Sequence, residues 1–155
     1  MKVLVLSDSH GAAKRLAAVL SQVENMVPQV LLYCGDGLGD VLPLRVRFPS
    51  FYAVRGNCDL AAPPDIPAEQ SFRLNGLEFF LAHGNGYRVK RDVQTLTYRA
   101  LEAGAKVCCF GHTHRPMAEW VHGVLMLNPG ALQDGRYALL TLGEQGHITP
   151  ALLSL

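Results

Sequence analysis

Residues 2–7, KVLVLS, form a short apolar run that breaks at Asp8, the pattern of a strand buried on both faces. After Gly11, Leu16, Val19, Leu20 and Val23 recur at helical spacing, predicting a helix over 12–25 that Pro28 brings to an end. VLLYC (30–34) and FYAVRG (51–56) read as two more buried strands, with a short helix between Gly39 and Val46. Three prolines in 61–68 mark an ordered surface loop. SFRLNGLEFFLAHG (71–84) then reads as two strands around Asn75-Gly76, a pair favoured in tight hairpin turns. A helix is expected over 89–103, ending at Gly104, and a strand over AKVCCFG (105–111). AEWVHGVLMLN (118–128) reads as a hairpin turning near Gly123, and 136–155 as two last strands separated by Gly143–Gly146.

The order is βαβαβ followed by a β-rich half with one helix, which predicts an α/β fold of two facing sheets with helices outside. At 155 residues the chain is long enough for one domain, 1–155, with a substantial core. Its 49% hydrophobic and 17% charged residues fit an ordered globular protein, and a net charge of +1 gives no bulk attraction to nucleic acid or membrane. Any anion must therefore be recognised locally. No apolar run approaches the roughly 20 residues of a membrane span, and the N-terminal run is too short for a signal peptide, so a cytoplasmic location is expected. Cys34, Cys58, Cys108 and Cys109 contain no Cys-x-x-Cys pair. Cys108 and Cys109 would point to opposite faces of a strand, so reduced, mostly buried thiols are expected.

Several buried strands run into polar, glycine-rich turns: Asp8-Ser9-His10-Gly11, Gly35-Asp36-Gly37, Gly56-Asn57-Cys58-Asp59, His83-Gly84-Asn85-Gly86 and Gly111-His112-Thr113-His114. Each has an ordinary reading when taken alone. Asp8 or Ser9 could cap the following helix, Gly35-Asp36 and Gly56-Asn57 could be plain turns, and His83 could be a structural histidine. Together they bring Asp8, Asp36, Asn57 and four histidines to strand ends, where α/β folds build their sites. That set suits two metal ions, and mixed imidazole and carboxylate donors fit Mn, Fe, Ni, Co or Zn better than Ca. Asp8 with His10, and His112 with His114, are two residues apart, so each pair would face one side if the backbone stayed extended.

In this order, Asp8-x-His10, Gly35-Asp36, Gly56-Asn57, His83 and Gly111-His112-x-His114 resemble the calcineurin-like metallophosphoesterase superfamily. The GNCD form of the third motif and the short length resemble its small phosphodiesterase branch, the YfcE type, and NPGA (128–131) resembles that family's NPGS turn. The resemblance implies a four-layer α/β/β/α sandwich of two mixed sheets. It implies one metal held by Asp8, His10, Asp36 and His114, and a second held by Asp36, Asn57, His83 and His112, with Asp36 as the bridge. The implied cofactors are two divalent transition-metal ions, manganese first, with Ni, Co, Fe or Zn as alternatives. The implied reaction is hydrolysis of a phosphodiester by a metal-bridging hydroxide, with weaker action on monoesters. Asp36, Asn57, Cys58 and Asp59 are the expected catalytic group.

Two positions depart from the wider pattern. Cys58 stands where many relatives have a histidine able to protonate the leaving group, and a thiol of reference pKa ~8.5 is a poorer acid for that task. Asn85 stands where relatives often have histidine; it can donate a hydrogen bond to phosphate but shuttles no proton. Asp59 is expected to support its loop or a metal-bound histidine, with a simple turn acid as the alternative. Arg55 and Arg115 adjoin the motifs and are weighed between phosphate contact and surface ion pairing. Arg88, Lys90 and Arg91 are read as a solvated helical face, and Trp120 as a packing residue. The expected partner is a small or extended phosphodiester, without a membrane; homo-oligomers are compatible with so apolar a chain. Two competing readings remain: a protein-interaction scaffold on the same fold, as in the retromer subunit, and a nuclease. Balanced charge weighs against the nuclease, which should show a basic track.

Overall fold

Successive strand residues point to opposite faces, and β1 (Lys2–Leu6) buries both. Val3 and Val5 enter one apolar cluster, while Leu4 and Leu6 enter another. The same division runs through β2 (Val30–Tyr33): Val30 and Leu32 face inward, Leu31 and Tyr33 outward. The outward cluster is closed by Leu16, Val19 and Leu20 of α1 (Ala13–Gln22). A computed structural model describes residues 1–155 and shows how the remaining elements complete this plan.

α2 (Leu38–Val41) and β3 (Ser50–Ala53) follow, then β4 (Glu69–Leu74), β5 (Leu77–Ala82), α3 (Gln94–Glu102) and β6 (Val107–Cys109). β7 (Met117–Val121), β8 (Val124–Asn128), β9 (Arg136–Leu142) and β10 (Ile148–Ser154) complete the chain. The first sheet has the order β10-β9-β1-β2-β3, and the second β4-β5-β6-β8-β7. Both are mixed: β1, β2 and β3 run parallel, as do β5, β6 and β8, while β9 pairs antiparallel with β1 and β10, β4 with β5, and β7 with β8. Val5, Leu32 and Cys34 from one sheet meet Phe79, Leu81 and Cys109 from the other in the middle of the molecule. On the far side of the second sheet, Phe80, Cys108 and Met126 pack against Leu96 and Ala100 of α3. The result is the α/β/β/α sandwich of two mixed sheets.

Cys108 and Cys109 do face opposite ways, one toward α3 and one between the sheets. Both hairpins turn through two left-handed residues, Asn75-Gly76 (φ 50° and 79°) and His122-Gly123 (φ 50° and 80°), which match the twist of the strands they join.

Three expectations need correction. The helix expected over 89–103 starts only at Gln94. Arg88 adopts φ 53°, and its carbonyl accepts Arg91 N at 2.9 Å and Asp92 N at 3.4 Å, so the chain turns there. The helix expected over 12–25 shortens to α1, followed by a 3-10 turn at Glu24–Met26. Trp120 is also not packed in the core: it is 52% exposed, with Lys106 Nζ 5.5 Å from its ring centre.

The registers set the site. Leu6 pairs with Tyr33, and Leu81 with Cys109, so parallel strands in each sheet end level with one another. The turns that follow are tied by backbone bonds, Asp8 N to Gly35 O at 2.9 Å and Gly111 N to His83 O at 3.0 Å.

Candidate metal centre

The donor turns are not extended. Asp8, His10, Asp36, His112 and His114 all take positive φ, between 43° and 67°. Alternation along an extended chain therefore does not bring the pairs together, as expected from their spacing; left-handed kinks do. Such conformations cost side chains of this kind on the order of 1–3 kcal/mol each and persist where the surroundings hold them. Because each kink redirects the chain, His112 and His114 diverge into two neighbouring groups of donors.

Three linked clusters result: Asp8, His10 and His114; His10, Asp36 and Cys58; and Asp36, His83 and His112, each with donor atoms within 4.8 Å of one another. Asp8 Oδ1 lies 3.1 Å from His114 Nε2, 3.5 Å from His10 Nε2 and 4.0 Å from His83 Nε2. Asp36 Oδ2 lies 3.2 Å from His83 Nε2 and 4.0 Å from His10 Nε2. Each carboxylate commits its other oxygen to the protein. Asp8 Oδ2 accepts Ser7 Oγ at 2.5 Å and His112 N at 3.1 Å, and Asp36 Oδ1 accepts Cys58 N at 2.8 Å. Fixed carboxylates thus present one free oxygen each.

His83 tests whether these residues fit a metal. Its ring is buried, and Nδ1 lies 2.7 Å from Cys34 O, which can only accept, so Nδ1 carries the hydrogen. Nε2 is left with a lone pair facing Asp36 Oδ2 and makes no hydrogen bond. Two electron-rich atoms aimed at each other in a buried place require a cation between them. Without one, protons partly fill that role. Burial works against charge on His83, but Asp36 and the Asp8 charge prevail and raise its proton affinity. Burial likewise works against ionising Asp36, yet His83 and the Cys58 N–H hold its pKa down at about 2. His112 is shifted down by burial, then by the positive charges of His83 and Lys90. Four imidazoles and two carboxylates match the donor preferences of divalent transition metals.

Asn57 and Cys58 sit exposed at the rim, with Asn57 Nδ2 3.5 Å from Cys58 Sγ. The thiol pKa is raised, first by the Asp36 charge and then by a hydrogen bond to Asp36, so Cys58 stays protonated at neutral pH. Of the roles weighed for Asp59, the structure shows loop support. Its Oδ2 accepts Asp36 N at 2.7 Å and Gly56 N at 2.8 Å, and its Oδ1 accepts Gly37 N at 2.8 Å and Leu38 N at 3.0 Å. One side chain therefore holds the Asp36 and Asn57 turns together. Glycine is required beside it, because a Cβ on Gly56 would lie 2.0 Å from Asp36 Oδ1. The capping reading of Asp8 and Ser9 fails: α1 has no side-chain cap, and Ser9 Oγ donates to Asp40 Oδ2 at 2.5 Å. Arg55 and Arg115 form no ion pair, and Arg55 Nη1 donates instead to Ile66 O at 3.0 Å.

Some supporting residues carried no signal in the sequence. Tyr33 OH donates to Asp36 O at 2.7 Å from within a buried strand, and Asp40 also accepts Gly11 N at 2.9 Å. Gln133 Nε2 lies 3.2 Å from His114 Nδ1 and orients that ring. Asn128 had a signal in the NPGA turn: Nδ2 donates to Gly111 O and Thr113 Oγ1, both at 3.0 Å, while Oδ1 accepts Gly130 N at 2.9 Å. Two hollows open beside the donors. One, of about 450 Å3, includes Thr113 and Arg115; the other, of about 300 Å3, includes Cys58, Leu38, Leu60 and Pro63.

Adjacent donor clusters at one rim of an α/β/β/α sandwich are consistent with a binuclear metal site. The chain belongs to the calcineurin-like phosphoesterase superfamily, whose domain profile matches residues 1–144. It is 35% identical over 151 residues to YsnB, a probable metallophosphoesterase of Bacillus subtilis, covering 92% of this chain and 85% of that one. It is 29% identical over 154 residues to the phosphodiesterase YfcE of Escherichia coli K12, covering 85% and 79% respectively. A predicted phosphoesterase of Streptococcus pneumoniae superposes with a TM-score of 0.78 at 25% identity, over 99% of this chain and 88% of the other. No helix is long and apolar enough to cross a membrane.

Proposed function

We propose that the chain is a single metallophosphoesterase domain of the YfcE type that hydrolyses phosphodiesters with two divalent ions, manganese first. The observation that carries this reading is the meeting of two donor clusters at Asp36, where buried His83 Nε2 faces a carboxylate oxygen and has no hydrogen-bond partner. Asp8, His10, Asp36 and His114 would hold one ion, and Asp36, Asn57, His83 and His112 the other. Asp36 would be common to both sets; its Oδ2 faces His83 Nε2 while its Oδ1 accepts Cys58 N. When bound, such a pair supplies hydroxide near neutral pH and neutralises phosphoryl oxygens.

The chain's own residues set which esters react. Cys58, a protonated thiol at the rim, can donate a hydrogen bond to a departing oxygen but is a weaker general acid than an imidazolium. Esters whose leaving groups depart as stable anions should therefore react fastest. Asn85, exposed beside His83, can donate to a phosphoryl oxygen without moving a proton. Two separate hollows beside the centre accommodate the two arms of a diester, whereas a monoester would use one.

The test is chelation followed by restoration of Mn, Ni, Co or Zn singly, with bis(p-nitrophenyl) phosphate assayed beside p-nitrophenyl phosphate. Metal-dependent cleavage faster for the diester supports the proposal. Absence of turnover with every metal, in protein that binds two ions, would favour a scaffold.

A further inference from the structure

Lys90 and Arg91 do not lie on a helical face. They form the wall of the 450 Å3 hollow together with Arg115. No carboxylate lines it, and none of the three cations takes part in an ion pair. Asp92, the neighbouring acid, has its Oδ1 on Gln94 N at 3.0 Å. Cations gathered without a counter-charge repel one another, and an anion relieves that repulsion.

These cations are carried on fixed backbone. Val89 is buried against Phe80 and Leu96, and it fits so closely under Gly84 that a Cβ there would lie 2.7 Å from Val89 Cγ2. Arg115 N donates to Thr113 Oγ1 at 3.1 Å, and the same oxygen accepts Asn128 Nδ2 at 3.0 Å. Thr113 stands between His112 and His114 in the chain and also lines the hollow, so the hollow adjoins the metal centre. Phe110 and Met117 supply apolar surface within it. The volume falls within the range of about 300–1,000 Å3 usual for small-molecule sites.

We propose that this hollow is a subsite for a second phosphate, carried on one arm of the scissile diester and held by Lys90, Arg91 and Arg115. The inference rests on the phosphodiesterase reading and deepens it: the substrate class is a small diester with a further phosphate beyond an organic spacer. The apolar wall accepts the spacer, and the cations fix which arm lies on that side. Lys90, Arg91 and Arg115 are then specificity residues that act through binding.

The matched probes are the p-nitrophenyl ester of thymidine 5′-phosphate and the same compound bearing a 3′-phosphate. With Mn restored, kcat/KM should favour the 3′-phosphorylated ester by at least about tenfold, the scale of charge-assisted hydrogen bonds. The double variant Lys90→Gln, Arg115→Gln should bring that ratio close to one. Calorimetry with thymidine 3′,5′-bisphosphate and thymidine 5′-phosphate separates the two readings. A binding advantage for the bisphosphate that the double variant loses, without turnover of either ester, would uphold the subsite and sink the phosphodiesterase. Equal rates and equal affinities for each matched pair, or an advantage that survives in the double variant, would overturn the subsite.

Discussion

At the scale of single residues, the chemistry of the centre follows from which atom of each side chain the protein has already engaged. Cys34 O takes the Nδ1 hydrogen of His83 and so aims Nε2 at Asp36; backbone and hydroxyl donors take one oxygen of each aspartate and leave the other free. Because the metal-free His83 holds its proton more tightly than an ordinary histidine, a metal must displace that proton. Mn affinity should therefore rise as pH climbs above the ordinary histidine range, with proton release on binding. Calorimetry in buffers of different ionisation heats measures this; an affinity independent of pH would contradict it. The same proton contributes stability to the metal-free fold below the ordinary histidine pKa, and that contribution is lost as pH rises through the higher folded value. Asp36, with its pKa held at about 2, contributes above the ordinary carboxylate value and loses its contribution only as pH falls through about 2. Under the proposed function, Cys58 is the residue that limits leaving groups. Cys58→His should accelerate cleavage of alkyl diesters by roughly 100-fold, the low end of the range for general acid catalysis, with little gain for p-nitrophenyl esters. An equal gain for both would remove the acid role from this position.

At the scale of elements, level strand ends and the short turns after them gather the donors. Asp59 is the clearest joint, since its four backbone bonds fasten the turn after β2 to the turn after β3. Asp59→Ala should cost about 1–3 kcal/mol in urea unfolding, limited because water reaches this half-exposed carboxylate, and should weaken metal binding as the Asp36 turn loosens. Unchanged stability and affinity would show that the turns hold without it. Elements of this kind were readable wherever the signal was periodic or chemical. The inward and outward halves of β1, the Asn75-Gly76 turn and the donor turns all follow from local pattern. Where tertiary contacts overrode local pattern, the reading failed. Residues 89–93 have helical periodicity, yet burial of Val89 beneath Gly84 and the left-handed Arg88 bend them into a turn. The kinks that part His112 from His114 were equally hidden, because left-handed φ at a histidine leaves no mark in composition; only the family resemblance assigned the two to different metals. Tyr33, Asp40 and Gln133 were invisible as supports, since Ser9, which the first two hold, and His114, which the third holds, lie far away in sequence.

At the scale of the molecule, two sheets with balanced surface charge create one rim that is strongly polarised. The net charge of +1 conceals a cluster of buried and partly buried carboxylates and imidazoles next to three unpaired cations. The sandwich itself is indifferent to chemistry, because its core comes from Val, Leu, Phe and Cys on facing strands. The central claim is that this rim holds two ions joined through Asp36. Elemental analysis after Mn saturation and desalting tests it most directly, on the wild type and on Asp36→Asn. The account expects about two Mn per wild-type chain and loss of both in the variant, with the fold retained by circular dichroism. A wild type that retains one ion or none, or a variant that keeps both, would contradict it.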